Sequence, residues 1–249
     1  LNAQFDFQMK PIHYISAFIF ILTVSSCKKS YLERFPLDSP STATFLSNEA
    51  ELELAVAGCY QPLAYNGEDL VPFILTLEYV SDNGWERNPN QLQVIGKGIA
   101  TPDNGYVKAV WDRFFVGVSR CNFILSNSDR LKGVVAEEKL NRLLGEVRYL
   151  RGYYYFFLNE VYGGVPLLTK TAVSVAESQI PRNTKEEVAN FIISEMEAIV
   201  PALPVTASAL GRVTKGAALA LESRTALCNK KWDIAAKSAS DLMNLGVYQ

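Results

Sequence analysis

The sequence predicts an all-α protein built from tetratricopeptide-like helix pairs separated in places by long irregular loops. Three observations carry that expectation. Apolar residues recur at helical spacing in successive stretches along the chain. Two of these stretches open on a cap residue followed three positions later by Glu, and most are closed by Gly or Pro. Finally, Lys215 to Tyr248 is a 34-residue helix, tight turn and helix lined with alanines, the size and texture of a tetratricopeptide unit. With 49% hydrophobic and 20% charged residues in 249, the chain has enough apolar surface to bury a sizeable core.

At the N-terminus, Met9 and Lys10, an apolar run from Ile15 to Val24, and then Ser25, Ser26 and Cys27 follow the order of a secretory leader. The apolar run is too short to span a bilayer. Small residues directly before a cysteine predict a bacterial lipoprotein signal over residues 1–26, with Leu1 to Gln8 upstream of the start methionine. Cys27 then becomes the acylated first residue of the mature chain. Residues 27–46 form the lipidated cysteine and its tether, in which Lys28 to Thr44 carry prolines and serines without helical period.

Residues 47–249 form the helical domain. Asn48 with Glu51 resembles a capping box, and Leu52, Ala55, Val56, Cys59, Tyr60 and Leu63 continue the first helix. The period breaks from Tyr65 to Gly105, where Ser81 to Asn90 (SDNGWERNPN) concentrates turn residues around a lone tryptophan. Val110, Phe114, Val118, Cys121 and Leu125 restore it over Val107 to Arg130. The central helix, Ala136 to Val161, carries a stripe of Leu143, Val147, Leu150, Tyr154, Phe157 and Val161. Its other faces bear further aromatic rings, so it is contacted from several sides. Gly163 or Gly164 stops it and Pro166 prevents resumption.

After an extended polar stretch to Asn183, Thr184 with Glu187 caps a helix through Val188, Phe191, Ile192, Met196 and Ile199 that ends before Pro201. Thr214 caps the next, with Ala217, Ala218, Leu221, Leu227 and Cys228, and Trp232 to Leu245 is its antiparallel partner.

The chemistry available is narrow. The one histidine, His13, lies in the predicted leader, which removes histidine-activated nucleophiles, histidine bases and histidine-ligated zinc from the mature chain. Cys59, Cys121 and Cys228 are widely spaced in apolar helical contexts and read as buried and inert. Gly96-Lys97-Gly98 lacks the rest of either phosphate-binding fingerprint. No metal or cofactor is expected. A net charge of −2 without a basic stripe excludes a nucleic-acid partner.

The lipoprotein signal, the block GEVRYLRGYYYFFLNEVYGGVPLL at 145–168, RNTKEEV at 182–188 and GRVTKGAALALESRTAL at 211–227 together resemble the SusD/RagB family of outer-membrane nutrient-binding lipoproteins. The resemblance implies a helical protein held by lipid at the outer membrane and facing the cell exterior. It implies a TonB-dependent (SusC-like) transporter as partner and a glycan or other oligomeric nutrient as ligand, bound and not hydrolysed. It also implies C-terminal truncation, since family members are about twice this length. Two alternatives stand beside it: a helical-repeat lipoprotein that only scaffolds a membrane assembly, and a glycoside hydrolase, although no spacing singles out a carboxylate pair.

Trp85 is the candidate ligand contact, because an aromatic face stacks on the apolar side of a sugar ring. Asp82, Asn83 and Asn88 beside it can hydrogen-bond hydroxyls. The competing reading is a tryptophan that anchors its own loop to the core. Trp111 and Trp232 read as core packing. Arg151 reads as a structural arginine satisfied by carbonyls or by a carboxylate such as Glu146.

Overall fold

The structure, a computed structural model, describes residues 45–64 and 73–248. The predicted leader, Cys27 and nearly all of the tether lie outside the described residues, and the compact helical unit begins at Leu46. Its helices are α1 (Glu49–Tyr60), α2 (Phe73–Tyr79), α3 (Gln91–Gly96), α4 (Gly105–Asn127), α5 (Glu137–Tyr162), α6 (Val175–Ser178), α7 (Lys185–Ile199), α8 (Lys215–Cys228) and α9 (Trp232–Met243). Among the described residues no strand forms, an isolated bridge between Lys132 and Val135 aside. The expected all-α, helix-pair architecture is present. α2 and α3 are additions, lying in the stretch where the sequence shows no helical period.

α5 is the hub, packing on α1, α4 and α7 and touching α8, while α8 joins α7 to α9. Leu143, Val147, Leu150 and Tyr154 of its stripe are buried to within 1%. Each buried aliphatic of that set is worth about 1.5–3 kcal/mol relative to exposure. The stripe ends before the helix does, because Phe157 is half-buried and Val161 is 46% exposed beside an open groove. The rings of Phe114 and Tyr154 lie 5.5 Å apart and those of Phe73 and Phe157 4.8 Å apart, so one aromatic block joins α2, α4 and α5. An alanine methyl at Gly117 would fall inside the Tyr154 ring, which is why α4 comes so close to α5 there.

The helix ends follow local chemistry. At α7 both halves of the capping box form: Thr184 Oγ1 accepts from Glu187 N at 3.2 Å, and Thr184 N donates to the Glu187 carboxylate at 2.7 Å. At α1 only half of it does. Asn48 Oδ1 accepts from Glu51 N at 3.0 Å, but the Glu51 carboxylate accepts from Ser47 N at 2.8 Å instead of from Asn48. The two glycines after α5 have separate tasks. Gly163 takes φ 73° and ψ −154°, a region open essentially to glycine. Gly164 lies so close to the next segment that a Cβ would sit 2.0 Å from the Asn183 carbonyl oxygen.

Beyond Gly164 a non-helical strap, residues 165–171, runs alongside α4 and α5 and takes its hydrogen bonds from side chains. Asn122 Nδ2 donates to Leu168 O at 2.8 Å, and Tyr155 OH both donates to Leu168 O and accepts from Leu168 N at 2.8 Å. Arg151 Nη1 donates to Thr169 O at 3.1 Å, and Thr171 N donates to Ser126 Oγ at 3.2 Å. Asn183 holds its beginning through Leu167 N and Val165 O.

Several expected core positions face outward. Trp232 is 60% exposed, and Leu63, Leu227 and Cys228 are also exposed. α8 buries Ala218, Leu219, Leu221, Thr225 and Ala226, which turns Leu227 to the opposite side, while Cys228, the last residue of the helix and in line with Leu221, is left exposed at the edge of an open groove. Trp232 opens α9, which packs on α8 and leaves its other side to solvent. Trp111 is half-buried, edge-on to Tyr162 at 5.2 Å, with the Arg182 guanidinium 5.5 Å over its ring. Cys59 and Cys121 are fully buried, and burial, reinforced by the neighbouring Cys59 thiol, pushes the Cys121 thiol well up.

Candidate functional site

The loop carrying Trp85 connects α2 to α3, and its shape is set by hydrogen bonds between side chains and backbone. Ser81 Oγ donates to Glu78 O at 2.7 Å and accepts from Asn83 N at 3.1 Å. Asn88 N donates to the Glu86 carboxylate at 2.8 Å, and Gln93 Nε2 reaches back to Glu86 O at 3.2 Å. Asn90 closes the loop by capping α3, its Oδ1 accepting from Leu92 N and Gln93 N. With these bonds in place the tryptophan is not needed as an anchor. Trp85 is 64% exposed, so the reading in which it ties the loop to the core does not hold.

Asp82, Asn83 and Asn88 are exposed on the same loop, and among the described residues their side chains take no hydrogen-bond partner. A free aromatic face and three uncommitted polar side chains within seven residues offer what a sugar ring requires: a flat apolar surface and donors or acceptors at its edge. A cavity of about 470 Å³ lies next to the loop, lined by Val80 and Ile95, which flank it, but by none of the four candidates.

The arginines of α5 have a structural assignment, with a different partner from the one expected. Arg151 Nη2 donates to Glu195 of α7 at 2.6 Å and its Nη1 to Asn122 Oδ1 at 2.8 Å. Arg148 donates to the other Glu195 oxygen at 2.8 Å. Burial alone would raise the Glu195 carboxyl, but the hydrogen bonds and charge of Arg148 and Arg151 outweigh it and hold the group below the usual carboxylate range. Glu146 is committed elsewhere, to Arg142 at 2.6 Å, Arg212 at 3.0 Å and Tyr60 OH at 2.9 Å. Five residues along a helix are well over a third of a turn out of phase, so Glu146 faces α1 while Arg151 faces α7. Burial, helped by Glu146, pushes the Tyr60 hydroxyl up, keeping it a donor to that carboxylate.

Among the described residues no group of three His, Cys, Asp or Glu side chains is arranged to hold a metal ion. No described helix is long and apolar enough to cross a membrane.

A stack of tetratricopeptide-like helix pairs that projects an aromatic loop is the class defined by this fold and loop. The chain belongs to the SusD-like family: the family model described as "Starch-binding associating with outer membrane" matches residues 30–227. It is 26% identical over 215 residues to a SusD-like protein of Bacteroides ovatus, covering 85% of this chain and 38% of that one. To SusD-like protein P38 of Formosa agariphila it is 28% identical over 210 residues, covering 80% and 40%. A crystal structure of a SusD-like carbohydrate-binding protein from Bacteroides fragilis superposes with a TM-score of 0.72 at 26% identity, covering 80% of this chain and 41% of that one. The chain thus spans less than half of the length of the curated relatives it matches, 38% to 46%.

Proposed function

We propose that this chain is the N-terminal part of a cell-surface lipoprotein that binds a glycan or other oligomeric nutrient and passes it to a TonB-dependent (SusC-like) outer-membrane transporter. In this reading a lipid on Cys27 holds the protein at the outer membrane, facing the cell exterior, and the ligand is bound without being hydrolysed. Family membership supports the class of ligand, and the carbohydrate-binding relative from Bacteroides fragilis points the same way. The observation that carries the local assignment is the 64% exposure of Trp85 on a loop that holds its shape without it. Trp85 supplies the stacking face, and Asp82, Asn83 and Asn88 take the hydroxyls.

The test is calorimetric titration of the full-length protein with a panel of oligosaccharides. Trp85→Ala is expected to weaken the best ligand at least tenfold, about 1.4 kcal/mol, with the melting temperature unchanged. Full affinity in the variant would remove the loop from the site, and release of reducing ends from the bound glycan would point to a hydrolase. Metabolic labelling with a fatty-acid analogue checks the anchor: the label is expected on the intact protein and absent from Cys27→Ser.

A further inference from the structure

A second cavity, of about 430 Å³, opens where the end of α4, the middle of α5, α7 and the strap meet, and it is lined by Ser126, Arg148, Arg151, Thr169, Lys170 and Glu195. None of the four loop candidates lines it. Three cationic side chains stand there against one carboxylate, and that carboxylate is already saturated. Arg148 donates to one Glu195 oxygen from Nε at 3.2 Å and from Nη2 at 2.8 Å, and Arg151 Nη2 donates to the other at 2.6 Å.

What remains is a set of donors without acceptors. Arg148 Nη1 takes no part in these bonds, and the side chain is 31% exposed, so that edge of the guanidinium is open to solvent. Lys170 is exposed on the strap and has no hydrogen-bond or ion-pair partner among the described residues. Ser126 Oγ accepts from Thr171 N at 3.2 Å, and among the described residues neither its own hydroxyl hydrogen nor that of Thr169 finds an acceptor. Deeper down Arg151, with 7% of its side chain exposed, has no partner for its Nε among the described residues. An ion pair that serves only to join α5 to α7 needs neither Lys170 nor the free edge of Arg148. Surplus positive charge with unused donors suits a group of several acceptor oxygens carrying negative charge, because charge-assisted hydrogen bonds are the strong ones. The volume falls within the range of about 300–1,000 Å³ usual for small-ligand pockets.

We propose that this cavity is a subsite for the anionic group, a carboxylate or a sulfate ester, of an acidic glycan. Lys170 and the free edge of Arg148 take its oxygens, and the hydroxyls of Ser126 and Thr169 serve the sugar beside it. The inference rests on the glycan-binding reading above and narrows the ligand to a charged chain.

The test is titration of the full-length protein with oligogalacturonate and with sulfated galactan oligosaccharides, each beside its neutral counterpart, the methyl ester or the desulfated chain. At least one charged chain is expected to bind tenfold or more tighter than its counterpart and to lose that margin at high salt. Lys170→Glu is expected to abolish the margin with the melting temperature unchanged, whereas Lys108→Glu, the same change of charge at the far end of α4, should keep it. Equal affinity for charged and neutral chains in both pairs overturns the subsite and leaves the glycan-binding reading standing, as does a margin that survives in Lys170→Glu. Binding of no oligosaccharide overturns both. Saturation by inorganic sulfate as readily as by the sulfated chain overturns the subsite by assigning the cavity to a free ion.

Discussion

Glu195 lies between two guanidinium groups, with its own side chain 10% and that of Arg151 7% exposed. Removing one member of such a pair leaves an uncompensated buried charge, so Glu195→Gln is expected to lower unfolding stability by about 3–5 kcal/mol in urea titration. The sign of the pH dependence follows from the depressed carboxyl. Its contribution is complete above the unfolded-state value, about 4.3, and is lost as pH falls through the lower folded value. The wild-type melting temperature should therefore drop on acidification below about pH 4, and Glu195→Gln should flatten that drop. The residue types in the block 145–168 show that Arg151 needs a partner, but the partner is 44 residues away on α7, a distance over which spacing carries no information. Trp85 is a parallel case: its type and turn-rich setting were legible, whereas its exposure depends on hydrogen bonds from Ser81 and Gln93 that only the folded loop displays.

At the scale of the element, the long helices were legible because each repeats its apolar period over several turns, and α1, α7 and α8 open on an Asn or Thr cap. α2 and α3 were not, since seven and six residues are too short for a period to show. α3 is moreover tied to the following loop by Asn104, whose Nδ2 donates to Gln91 O at 3.0 Å. The exposure of Leu227, Cys228 and Trp232 is not legible in the sequence for a related reason: apolar content says that a residue can be buried, while the neighbours decide whether it is. The double glycine after α5 permits a sharper test. Gly164→Ala forces a methyl onto a backbone oxygen and is expected to cost about 1–3 kcal/mol. Gly163→Ala carries backbone strain of similar size, about 1–3 kcal/mol, without a clash. Urea titration of both variants checks this, and a loss below about 0.5 kcal/mol at Gly164 would mean that the 183–185 segment yields easily.

Across the whole molecule, protection should grade outward from α5, which is covered by α1, α4, α7 and α8, to α9, which packs on α8. Amide hydrogen exchange is expected to be slowest in 143–158 and fastest among the long helices in 232–243. Uniform rates would contradict a hub. The strap at 165–171 has a consequence for how freely this protein can change. Asn122, Arg151, Ser126 and Tyr155 address its main-chain atoms and are indifferent to which side chains it carries. The exposed Thr169 and Lys170 can therefore be exchanged for many other residues while the path of the chain is preserved, whereas Asn122 and Tyr155 cannot be replaced without releasing it. The part of the molecule that looks most like a loose connection is fixed by a grip on its backbone, and its exposed side chains are left open to variation.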